Sequence, residues 1–140
     1  MSTSLPNLLL PHQAPMLMLS AVQQYNDEQI CCISRIEKNN PLLSEGYFPC
    51  TGGLELLAQA CGILLGVKHP GSEVRPGAIV QIKSFQVSNA AIPAGSELQI
   101  QAFFRGGSSE AALFDGHVSF HTDQIFQGSL MIALLPEDTP

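Results

Sequence analysis

F-P-C-T-G-G-L-E-L-L-A-Q-A-C-G-I-L-L-G-V-K, residues 48–68, is the stretch that organises the chain. Pro49, Thr51, Gly52 and Gly53 read as a helix entrance, because proline and small hydroxyl residues are favoured there and glycine lets another backbone approach. A helix over about 52–67 then follows, apolar on nearly every side, with only Glu55 and Gln59 clearly polar. Such a helix is buried. At about 14 apolar residues it is also shorter than the ~20 needed to span a bilayer, so it is expected inside a soluble core, away from any membrane.

Glu55 and Gln59 are four apart and share one helical face. A carboxylate one turn inside a buried helix must be paired, hydrated or altered in its protonation, which makes Glu55 the first candidate for chemistry. A simpler reading also fits: a glutamate favouring the positive end of the helix dipole and reaching water through a gap.

A chain of 140 residues, 45% of them hydrophobic, suits a single domain spanning 1–140, with a short N-terminal segment at 1–15 and a tail at 136–140. No N-terminal run has the form of a signal peptide, since Leu8, Leu9 and Leu10 end at Pro11, and a cytoplasmic protein is expected. Cys31, Cys32, Cys50 and Cys61 lack metal or redox spacing and read as reduced packing residues, with Cys50 the one expected to be exposed. No metal or cofactor is called for. A formal net charge of −6 argues against a nucleic-acid surface.

Three prolines punctuate the leader, after which 16–22 reads as a first strand, 23–28 as a turn, and 29–37 as a second strand with Ile30, Cys32, Ser34 and Ile36 on one face. Beyond the helix and a Pro/Gly-rich crossover, 78–87 is a strand and A-I-P-A-G a turn. Three more strands alternate: Leu98, Ile100, Ala102 and Phe104; then Ala112, Phe114, Gly116, Val118 and Phe120; then Phe126, Gly128, Leu130, Ile132 and Leu134. This is an α+β pattern, one antiparallel sheet curling around one buried helix, the shape called a hotdog fold. Its short sheet leaves an edge exposed, so dimerisation through edge strands is expected.

The chain resembles the 3-hydroxyacyl-(acyl-carrier-protein) dehydratase family, including the dehydratase-like proteins of aryl-polyene pigment clusters. L-L-P-H-Q-A-P-M-L-M-L at 9–19 resembles that family's opening L-L-P-H-R-x-P-x-L-L, and F-P-C-T-G-G-L-E-L-L-A-Q-A resembles its M-P-G-x-x-x-x-E-x-x-A-Q, with Pro49, Glu55, Ala58 and Gln59 at matching spacing. I-P-A-G-S-E-L resembles its V-x-P-G-D-x-L turn. The resemblance implies removal of water from a 3-hydroxyacyl thioester carried by acyl-carrier protein or coenzyme A, using a histidine base, a helix carboxylate and backbone N–H donors, the histidine and carboxylate coming from opposite protomers. It places Glu55 as the carboxylate, Cys50 to Gly53 as the donors, and Gln59 as an orienting hydrogen-bonder.

Two departures stand out. The family's G-H-F-P reads Gly46-Tyr47-Phe48-Pro49, with a tyrosine, a poor base but a possible donor, in the histidine's place and a loop to the glutamate about six residues shorter than the family's; aligned back from the helix instead, the histidine's position falls near Pro41, again without an imidazole. In the opening motif Gln13 replaces the arginine, and Ser20 with Ala21 replaces an Asp-Arg pair. His12 belongs to a structural motif, His69 follows the helix, and His117 and His121, four apart on one strand face, offer no useful metal geometry. Three readings remain, for a homodimer or a heterodimer with a histidine-bearing hotdog protein: a dehydratase subunit contributing Glu55 to a composite site whose histidine comes from that partner; a non-catalytic acyl-thioester or carrier-binding module; and a thioesterase-like hydrolase in which Glu55 activates water. Lys68, Arg75 and Lys83 are the clustered basic candidates for an acidic carrier.

Overall fold

Hydrophobic alternation with period two builds most of this molecule, and the computed structural model describes residues 3–4, 18–68, 77–108 and 110–134. In chain order the strands are β1 (Thr3–Ser4), β2 (Ala21–Tyr25), β3 (Gln29–Arg35) and β4 (Tyr47–Phe48). A single 3-10 turn, Cys50–Gly52, then leads into the helix α1 (Gly53–Lys68). After it come β5 (Gly77–Val87), β6 (Ile92–Pro93), β7 (Glu97–Gly107), β8 (Ala111–Phe120) and β9 (Asp123–Leu134). Among the described residues, seven strands form one antiparallel sheet in the order β1-β2-β3-β7-β8-β9-β5, and β4 pairs with β6 alone.

One face of that sheet receives α1, which packs on β7, β9, β8 and β3. The strand residues expected to face inward do so: Ile30, Cys32, Ser34 and Ile36, then Leu98, Ile100 and Ala102, then Ala112, Phe114 and Val118, then Phe126, Leu130 and Ile132 are all buried. Opposite them Leu56, Leu57, Ala60, Cys61, Ile63, Leu64 and Leu65 are buried on α1. This is the hotdog arrangement. With its 3-10 turn, the segment Cys50–Lys68 has the length and composition to cross a membrane, so length does not exclude a span as the sequence reading held. Burial of its apolar side chains against the sheet is what makes it a core helix.

The closeness of helix and sheet depends on Gly116. A Cβ there would overlap Leu57 Cδ1 and lie 2.5 Å from the carbonyl oxygen of Gln101, and a backbone atom cannot swing aside. Gly116→Ala is therefore expected to destabilise by about 1–3 kcal/mol, read as a lower urea midpoint at unchanged slope. A midpoint equal to wild type would show that α1 can lift off the sheet freely.

Several boundaries differ from the sequence reading, each for a local reason. The strand expected over 16–22 is β2, Ala21–Tyr25: 18–20 lie before it, 16–17 are outside the described residues, and it reaches Tyr25 because Asn26 Oδ1 accepts from the N–H groups of Glu28 (2.7 Å) and Gln29 (2.9 Å), making the turn tight. A register shift between Val22 and Gln24 absorbs the extra residue. The 91–95 stretch is not all turn: Ile92 and Pro93 pair with Phe48 and Tyr47, a two-residue ladder too short to show periodicity. β9 begins at Asp123, because His121 takes a left-handed conformation (φ 57°) and turns the chain one residue early. The segment 1–15 apart from β1, the tail 136–140, and His12, Gln13, His69 and Arg75 lie outside the described residues.

Candidate functional site

The start of α1 is fixed from two sides by aromatic rings. Phe48 is buried opposite Ile92, and a Cβ on Gly52 would overlap the Phe48 ring. A Cβ on Gly53 would come within 2.6 Å of Phe126 Cβ. Both glycines therefore serve close packing. Their amides are engaged too: the Gly52 N–H donates to Pro49 O at 2.8 Å and that of Gly53 to the carbonyl of Cys50. The donor set expected from Cys50 to Gly53 is thereby narrowed. Cys50 and Thr51 precede the first bonded amide, and helix geometry gives theirs no intrahelical acceptor.

Pro49 caps the turn with an extended backbone (φ −69°, ψ 137°) and no side-chain hydrogen bond, while Thr51 is exposed and does not cap. Cys50 is buried, contrary to the expectation of an exposed thiol. Its Sγ donates to the carbonyl of Ala90 at 3.3 Å, so the β5–β6 connection covers it, and burial pushes its pKa up. All four cysteines are free and buried; burial raises Cys32 to about 12 and Cys61 well above its ordinary value. These thiols are inert packing groups.

One turn further in, Glu55 and Gln59 form the predicted i, i+4 pair. Gln59 is 1% exposed, and its Oε1 accepts the Met18 N–H at 3.0 Å. With its oxygen committed to a donor, the amide must turn its NH2 the other way, and Nε2 donates to Glu55 Oε1 at 3.0 Å. Ser34 Oγ completes the relay by donating to the Met18 carbonyl at 2.5 Å. A half-buried carboxylate is thus held in one place at the positive end of a helix by a buried amide that cannot rotate. Gln59→Leu should leave the Met18 N–H buried without its acceptor and remove the bond to Glu55, at a cost of about 1–3 kcal/mol. Chemical denaturation checks this, and an unchanged stability would mean the relay carries no structural weight.

Met18 and Ser34 were not legible as site residues. Met18 acts through its backbone, which has no sequence signature; Ser34 was visible only as a hydroxyl on an otherwise apolar strand face.

Tyr47, at the position of the family histidine, is 52% exposed on β4. Neither described histidine lies on α1 or at its entrance. Gly116 faces Leu57, so His117, next along β8, points to the opposite side of the sheet, where it lies against the Phe103 ring (6.2 Å between centroids) and burial lowers its pKa. His121 sits in the turn after β8, its ring tilted against that of Phe120 at 4.2 Å between centroids, beside a groove of about 550 Å³ that Glu97 and Pro93 also line. The two do not share a strand face as expected. Among the described residues no His/Cys/Asp/Glu group could hold a metal ion. Of the basic cluster, the two described members are apart: Lys68 Nζ donates to Asp27 O at 3.0 Å and lies 4.0 Å over the Phe104 ring of β7, whereas Lys83 is on β5, three strands from β7, or about 14 Å in strand spacings.

The ApeP-like family, described as ApeP dehydratase, matches residues 5–139. The chain belongs to the ApeP-like dehydratase family. Among solved structures, it is similar to a chain of the dehydratase heterocomplex ApeI:P from Xenorhabdus doucetiae, 25% identical over 95% of this chain and 93% of that one, with a TM-score of 0.86. Two thioesterases share the fold alone. One is a hypothetical thioesterase with coenzyme A from Streptococcus pneumoniae TIGR4 (12% identity, 84% and 87% covered, TM-score 0.63). The other is the zebra fish thioesterase superfamily member 2 (16% identity, 89% and 88% covered, TM-score 0.66). Among curated proteins nothing matches the chain. Within the ApeP-like family, then, this member is a dehydratase-like hotdog protein with a fixed helix carboxylate and a tyrosine preceding the helix.

Proposed function

We propose that this chain is the glutamate-bearing subunit of a composite 3-hydroxyacyl-thioester dehydratase, whose base is a histidine from a second, non-identical hotdog protein. The observation that carries the reading is the Glu55 carboxylate, held by Gln59 on a half-exposed face at the helix start. In its acid form Glu55 gives a proton to the departing 3-hydroxyl, which leaves as water, while the partner's imidazole takes the proton from the carbon next to the thioester carbonyl and the electron pair forms the new double bond. The N–H groups of Cys50 and Thr51 are the donors for the enolate-like oxygen, with Tyr47 and Pro49 at the rim. The substrate is an acyl chain on acyl-carrier protein, coenzyme A being the other carrier with the same thioester.

The likeness to a heterocomplex named as a dehydratase supports this reading, as does the lack of a histidine at either place the family motif allows, Tyr47 or Pro41. Free, buried thiols suit the reducing cytoplasm, where we place the enzyme. Comparing turnover of a 3-hydroxyacyl carrier thioester by the chain alone and with a histidine-bearing hotdog protein tests the proposal. Equal rates in the two cases overturn it.

A further inference from the structure

The outermost strand, β5, is exposed along almost its whole length, and Val80, Ile82 and Phe85 on it are 56%, 40% and 59% exposed. Ile82 pairs with Leu130 and Phe85 with Gly128, so both project from the sheet face that carries α1, yet α1 does not extend over them. The helix surface outside the core is small: Ala58, Gly62 and Gly66, four apart, are half-buried beside the half-buried Glu55. An apolar sheet margin, an edge without a partner strand among the described residues and a small-residue helix face together call for another hotdog layer beside this one.

Self-pairing is the obvious way to cover that margin, and the details of β5 oppose it. Its register shifts twice, between Ile79 and Gln81 and between Ile82 and Ser84, which makes Val80 and Lys83 the inserted residues. Bulges and lysines are devices by which edge strands limit indiscriminate pairing, and a lysine does so most against a strand that also brings a lysine to the same place. Lys83 is the one charged residue of β5, is exposed, and among the described residues has no carboxylate paired with it. A two-fold antiparallel pairing that uses the full strand centres near Ile82, which brings the two Lys83 backbones within about 8 Å. That is about one Debye length at physiological salt, so the repulsion is poorly screened. Two chains of net charge −6 add a general repulsion.

We propose that β5 is a charge-selective edge: it pairs with the edge strand of a non-identical hotdog chain that sets a carboxylate against Lys83, and it disfavours its own copy. This rests on the heteromeric reading above, and it gives that reading a cause, since a homodimer would join two glutamate subunits without a base.

A charge-reversed copy of the same chain stands in for the acidic partner edge, so neither substrate nor partner enters the test. Sedimentation equilibrium is run on the full wild-type chain, on Lys83→Glu, on their equimolar mixture, and on Lys83→Met. The mixed pair should associate about tenfold or more tightly than wild type with itself, because a like-charge contact has become an opposite one. Lys83→Met, which removes the repulsion without reversing it, should self-associate more tightly than wild type by a similar factor, so the result does not hang on one variant. Wild-type self-association as tight as that of the mixed pair overturns the proposal, whatever the turnover experiment shows.

Discussion

Glu55→Gln should lower turnover of the assembled dehydratase by about 10²–10⁴-fold, the usual worth of a positioned general acid, while the protein stays folded. Glutamine keeps the shape of glutamate and one carbonyl oxygen, so the Gln59 amide retains an acceptor and its bond to the Met18 N–H is undisturbed. What is lost is the acidic proton, because an amide cannot protonate a leaving hydroxyl. Melting temperature should stay close to that of wild type, since the bond to Gln59 is kept. Stability and turnover are measured on the same preparation, with the histidine-bearing partner present. A module that only binds acyl thioesters would keep its ligand affinity in this variant. A stable Glu55→Gln complex dehydrating at the unmutated rate would remove Glu55 from the chemistry.

The isolated chain should turn over 3-hydroxyacyl thioesters about 10²–10⁴-fold more slowly than the pair, because one whole proton transfer lacks its base. Tyr47, half-exposed on β4, offers a phenol, which serves as a hydrogen-bond donor where an imidazole would serve as a base. His117 is on the far side of the sheet from α1, and His121 belongs to the turn beyond β8. Steady-state rates with and without the partner check this. Rates within twofold of each other would mean that a base has been overlooked in this chain.

The fold was legible because its signals are the strong ones. An all-apolar helix between period-two strands leaves few arrangements, and the inward residues of β7, β8 and β9 follow from alternation alone. The Glu55–Gln59 pair was legible because helical spacing brings i and i+4 together wherever the rest of the chain lies. What escaped depends on contacts between distant segments. Cys50 was expected at the surface, but Ala90, forty residues on, covers it. The glycines of the entrance were assigned as donors, whereas Phe48 and Phe126 show a packing need and the 3-10 turn consumes the amides of Gly52 and Gly53. His117 and His121 seemed to share a face until one left-handed residue ended the strand between them. Local pattern gives periodicity; it does not give what another strand lays on top.

A titration tests the split site most directly. This chain is held at fixed micromolar concentration, the histidine-bearing hotdog protein is added in steps, and formation of the enoyl thioester is followed continuously. The rate should start near the uncatalysed baseline, climb in proportion to added partner, and level off at one partner per chain. Repeating the titration with Glu55→Gln should give a flat line at saturating partner, after subtraction of the partner's own rate. A full rate before any partner is added, or a rate that keeps climbing in proportion to the partner regardless of Glu55, would contradict the shared site.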